Sequence, residues 1–126
     1  MSLSGGGKTE AQIQAEIMAE CSKGPTRLWR TNAGMGWAGR LVSNVRGTVT
    51  LATARPLHGM PEGWPDLTGF TVTDTGTVPV FVEVKDATGR VRPEQVKFLE
   101  FLRSMGCRAG VARSVEDARK IIENTC

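Results

Sequence analysis

The chain has 126 residues, 40% of them hydrophobic and 23% charged, the size and make-up of one globular domain that can bury a core without disulfides. No apolar run approaches the ~18 residues of a membrane span, no signal-peptide stretch is expected, and Cys21, Cys107 and Cys126 lie far apart without a CxxC pair. That excludes a disulfide scaffold and a zinc ribbon and points to a reducing cytoplasm, while the net charge of +3 is concentrated between Cys21 and Pro61, where Lys23, Arg27, Arg30, Arg40, Arg46 and Arg55 meet no acid.

The glycine-rich first eight residues read as a flexible leader, with one domain over 9–126. Thr9 is positioned as an N-cap and Gln12 completes a capping box. A helix follows to about Cys21, burying Ile13 and Ile17 and ended by Gly24-Pro25. Arg27–Thr31 reads as a short strand and Asn32–Gly39 as a glycine-rich loop. Leu41–Val45 and Thr48–Ala52 read as short strands joined at Arg46-Gly47, and Arg55–Pro65, with three prolines, as irregular chain.

Asp66–Thr73 is extended and turns at Asp74–Thr77 into Val78–Lys85, the strongest strand signal in the chain. After the Asp86–Val91 loop a helix starts at Pro93, where no N–H is needed, and runs to about Met105, capped by Gly106. Cys107–Ala112 is a short buried strand, and Ser114 caps a last helix to about Asn124. With the short Leu41–Ala52 pair set aside, the order α-β-β-β-α-β-α predicts an α/β fold with a single mixed β-sheet flanked by helices.

Val80–Lys85 alternates strictly, so Val80, Val82 and Val84 share one face while Phe81, Glu83 and Lys85 share the other. Such a carboxylate and ammonium could be no more than an edge ion pair. Asp66, however, opens the neighbouring strand of the expected hairpin and can lie beside Glu83 at the same sheet end. Two adjacent carboxylates repel unless a cation lies between them or one is protonated. An oxygen-only donor set favours Mg²⁺ or Mn²⁺ over zinc, for which His58 is the single histidine. His58 itself reads as a surface or substrate-contacting residue.

Pro65-Asp66 and Glu83-Val84-Lys85 are similar to the PD-(D/E)xK nuclease signature. Thr88-Gly89-Arg90 and Pro93-Glu94-Gln95 follow, Trp29-Arg30-Thr31-Asn32-Ala33-Gly34 lies upstream, and Glu10-Ala11-Gln12-Ile13-Gln14 opens the first helix. In this order, from Glu10 to about Ile122, they resemble the VRR-NUC (virus-type replication-repair nuclease) family. The resemblance implies a restriction-endonuclease-like αβββαβ core. It implies Asp66, Glu83 and the Val84 backbone carbonyl as metal ligands, and Lys85 as the group that positions water and offsets charge on the scissile phosphate.

Gln95 shares a helix face with Leu99 and Leu102 and is expected to point at the sheet. Glu10, Glu16 and Glu20 all compete for a further metal-side position on the first helix. Motif and helical angle agree on Glu10, although a first-turn carboxylate is favoured by the helix dipole alone. Arg30, Asn32, Arg90 and Arg92 flank these elements and read as phosphate contacts. Trp37 and Trp64 fall in loops, where they could stack on bases or pack, whereas Trp29 is expected in the core.

The reading is a Mg²⁺- or Mn²⁺-dependent DNA endonuclease. As the family implies, it acts as a homodimer on branched DNA such as Holliday junctions, in a bacterial or phage-infected cell, in replication, recombination or repair. No Walker motif is present, so no nucleotide cofactor is expected. The alternative is a non-catalytic nucleic-acid-binding module on a decayed nuclease fold. A tRNA-processing endonuclease would need 2′-OH recognition that no residue marks.

Overall fold

A computed structural model describes residues 7–31 and 35–125. Its elements run α1 (Glu10–Cys21), β1 (Thr26–Arg30), β2 (Met35–Val45), β3 (Thr48–His58), β4 (Leu67–Thr73), β5 (Gly76–Val84), α2 (Pro93–Ser104), β6 (Arg108–Ala112) and α3 (Val115–Glu123). The expected α/β architecture is present: a four-stranded mixed sheet in the order β1-β4-β5-β6, flanked by helices. β1 and β5 run antiparallel to β4, while β5 and β6 are parallel and joined through α2. That crossover is what a parallel pair requires. Beside this sheet, β2 and β3 form a separate two-stranded ribbon.

The alternation of β5 divides the core in two. Val80, Val82 and Val84 meet Ile13 and Ile17 of α1 and Ala118 and Ile122 of α3 on one face. Phe81 meets Leu99 and Leu102 of α2 on the other. The caps anchor this packing. Thr9 and Gln12 form the reciprocal box that starts α1, and Ser114 Oγ accepts the Asp117 N–H at the start of α3. At Gly69 the strands come so close that an added Cβ would overlap the Arg27 carbonyl, so β1 seats on β4 only over a glycine.

Four local expectations are corrected. The Asn32–Gly39 loop is strand from Met35 onward, and Arg55–Pro65 is strand as far as His58. Backbone pairing persists from Val45/Thr48 to Met35/His58, through two bulges that interrupt the side-chain alternation. Arg46 and Gly47 both have positive φ, the geometry of a tight two-residue hairpin turn. Trp29 is not in the core but 54% exposed, and Trp37, on β2 rather than in a loop, is likewise exposed. The expected 1–8 leader and Asn32 fall largely or wholly outside the described residues, as does Cys126. Among the described residues, no helix is long and apolar enough to cross a membrane.

Candidate active site

Register brings the motif residues together. Leu67 of β4 lies opposite Val82 of β5, which places Asp66 beside Glu83 at one end of the sheet. Asp66 Oδ2 accepts the Val84 N–H at 2.9 Å, locking the carboxylate against the end of β5. Glu83 is only 2% exposed. Its Oε2 accepts from Gln95 Nε2 at 2.8 Å and lies 3.1 Å from Lys85 Nζ. The Lys85 N–H donates to the Ala112 carbonyl, tying this strand end to β6.

Gln95 reaches Glu83 because of how α2 begins. Its Oε1 accepts the Arg92 N–H at 2.9 Å, satisfying an orphan donor at the helix start and turning the Nε2 group towards the sheet. The residue is buried beside Leu99 and Leu102, on the face its spacing predicts.

Burial and then the Asp66 charge push the Glu83 carboxyl up from 4.5 to about 7, against the opposing pull of Lys85. The charge of Glu10, in the first turn of α1, acts in the same direction as that of Asp66. Glu16 and Glu20 are engaged elsewhere, with Lys8 at 2.6 Å and Lys23 at 3.6 Å. Among the described residues, no three His, Cys, Asp or Glu side chains gather closely enough to hold a metal ion. Glu83 Oε1 is nevertheless buried with no hydrogen-bond partner among those residues. A buried anionic oxygen left unpaired is costly, and a hard cation is the partner that suits it. The oxygen donors of Asp66 and Glu83 therefore fit Mg²⁺ or Mn²⁺ chemically.

The remaining candidates among the described residues are exposed. Arg30 is exposed at the end of β1, opposite Leu67. Arg90 and Arg92 are exposed before α2, Arg92 with its Nε 3.4 Å from Glu94. His58 closes β3 opposite Met35 and is exposed. Cys21 is buried, and that burial raises its thiol pKa, as expected of a packing residue.

The loop expected after Lys85 is present, but sequence reasoning missed how it is held. Asp86 Oδ1 accepts the N–H groups of Thr88 and Gly89, and those bonds hold its carboxyl below the usual range. Arg113 Nη1 donates to the carbonyls of Asp86 and Gly89 at 2.5 and 2.8 Å. An Asp-x-Thr-Gly run signals the turn, but nothing local signals the arginine.

No curated protein matches the chain. A family model, described as the VRR-NUC domain, matches residues 8–116, from just before α1 to the start of α3. That span holds the paired carboxylates, Lys85 and Gln95, and it covers nearly the whole chain: the protein belongs to the VRR-NUC family of nuclease domains.

Proposed function

We propose that the chain is a Mg²⁺- or Mn²⁺-dependent endonuclease that hydrolyses phosphodiester bonds in branched DNA, Holliday junctions among them, during replication, recombination or repair. The buried, unpartnered Glu83 Oε1 beside Asp66 and Lys85 carries this reading. Asp66, Glu83 and the Val84 carbonyl would hold the ion, with Glu10 as the further carboxylate. When bound, it supplies a water of lowered pKa and positive charge at the phosphate.

The chain's own groups do the rest. Gln95 orients Glu83 through one hydrogen bond, leaving the other carboxylate oxygen for the ion. The Lys85 ammonium, held at Glu83, stands where it can hold the attacking water and offset charge developing on a phosphate oxygen. Arg30, Asn32, Arg90 and Arg92 are assigned to backbone phosphates, and the arginines of the β2–β3 ribbon extend the same grip. One small domain offers little surface for two duplex arms, so a symmetric pair of chains is the natural assembly on a junction.

The test is cleavage of matched linear and four-way junction DNA with Mg²⁺ or Mn²⁺, by wild type, Asp66→Asn and Lys85→Ala. Junction-selective cutting lost in both variants, with DNA binding retained, is the expected result. The open arrangement of the acids supports a second reading, a binding module that cuts nothing. Tight binding by wild type without cleavage of any substrate would establish that reading instead.

A further inference from the structure

α2 covers only half of the sheet face that carries the site. It packs over Phe81 of β5 and Ala109 of β6, and β1, two strands away from β5, lies beyond it. On β1 stands Trp29, 54% exposed, its ring 5.9 Å from that of Phe70.

The register determines which face this is. Trp29 lies opposite Thr68, and Thr68 opposite Phe81. Trp64, packed on Phe81 and Phe98, donates its indole N–H to Thr68 Oγ1 at 2.9 Å, so the Thr68 side chain lies on the α2 side. By alternation Asp66 and Phe70 share the face of Thr68, and Glu83 that of Phe81. The exposed indole thus stands on the same face as both carboxylates. It is one strand over and two residues along from Asp66, about 8 Å between backbones. That is on the scale of a single nucleotide.

The ground between them is polar. Thr31 Oγ1 donates to the Pro65 carbonyl at 2.9 Å and lies 3.0 Å from Thr68 Oγ1. Arg27, two residues before Trp29, shares its face, in a segment of the sequence that has no acid from Cys21 to Pro61. An aromatic face with a guanidinium group on the same side of its strand suits a base and its phosphates better than another basic protein surface.

We propose that Trp29, backed by Phe70, is a stacking site for an unpaired nucleobase next to the phosphate at Asp66 and Glu83. Bases inside a duplex already stack on their neighbours, so the site selects DNA with a free base face: a flap, a junction arm or a single strand. This assignment deepens the nuclease reading and rests on it for the position of the phosphate.

The experiment is metal-free binding, in EDTA, of the full chain to fluorescent single-stranded, flap and blunt duplex oligonucleotides. Trp29→Ala is expected to weaken single-strand and flap binding about tenfold, the worth of one stacked base, and to leave duplex binding unchanged. Trp29→Phe, which keeps a ring, restores most of the loss. An abasic residue at the contacted position weakens wild type by the same factor and Trp29→Ala no further.

Equal effects on duplex and single strands, or none, overturn the proposal. So does a change in sedimentation of Trp29→Ala without DNA, which assigns the patch to a second copy of the chain. Cleavage with Mg²⁺ is measured separately on the same substrates. A chain that cuts but shows no Trp29 dependence loses only the stacking site, and one that stacks but never cuts loses only the nuclease reading.

Discussion

Replacing Glu83 by glutamine removes a buried charge while keeping an oxygen that can accept from Gln95. In the metal-free protein the Glu83 carboxyl titrates at about 7 when folded, against 4.5 ordinarily. The folded state therefore binds this proton more tightly than the unfolded chain does. Below about pH 4.5 the group is protonated in both states and costs nothing. Between 4.5 and 7 the unfolded chain sheds its proton first, so stability falls as pH rises, and above 7 the full penalty persists. At about 1.4 kcal/mol per factor of ten in proton affinity, that penalty is about 3 kcal/mol, for a group only 2% exposed.

The quantity to measure is the difference in unfolding free energy between Glu83→Gln and wild type, by urea denaturation in EDTA from pH 4 to pH 8. Constant effects, such as a changed fit of the Gln95 hydrogen bond, shift the whole curve, whereas the attraction of Lys85 is already contained in the Glu83 pKa. The pH dependence isolates the carboxyl. Glu83→Gln should gain on wild type by about 3 kcal/mol across this range, most of it between pH 5 and 7. Mg²⁺ at millimolar concentration should erase the gain by stabilising wild type alone. Parallel curves in EDTA would refute the view that Glu83 is held with an uncompensated buried charge.

Gly69→Ala places a Cβ against the Arg27 carbonyl and should cost more than about 3 kcal/mol in thermal or urea unfolding. Gly89→Ala meets Asp86 Oδ1 at 3.1 Å and the Lys85 side chain at 3.4 Å, so kcat should fall about tenfold, with unfolding changed by less than ~1 kcal/mol. Thr9→Ala removes an N-cap and should lower stability by about 1 kcal/mol, leaving the pH dependence unchanged. Arg40→Ala and Arg55→Ala, on the ribbon, should each reduce the slope of log affinity against log salt by about one.

The core was legible where side-chain alternation coincides with real faces. Val80–Lys85 revealed both layers of the protein, and Thr9, Ser114 and Pro93 marked helix starts that the structure reproduces. The proximity of Asp66 and Glu83 follows from one hairpin register, which the Asp74–Thr77 turn already announced. The ribbon's length was not legible. Bulges at Ala38/Arg40 and Leu41/Ser43, with positive φ at Thr53, scramble the period-2 signal, while glycine and proline depress strand propensity.

Trp29 was misplaced for a different reason. Its own strand carries the clue, since Arg27 and Thr31 share its face, yet a tryptophan's apolar area argues for the core. Whether that face is covered depends on where α2 lies, which is settled by packing around Phe81 rather than by anything near Trp29. Arg113 lies 24 and 27 residues from the carbonyls it binds, beyond the reach of any local pattern.

The side chain of Gln95 has two duties: its oxygen closes the first turn of α2, and its nitrogen grips Glu83. Fraying of that turn would release the carboxylate, and a carboxylate pulled aside would unwind the turn. Integrity of the helix and competence of the reaction centre thus fail together, so copies that retain a sound α2 also retain an aligned acid. Quality control that discards loosely folded molecules would, through this one amide, also discard the chemically defective ones.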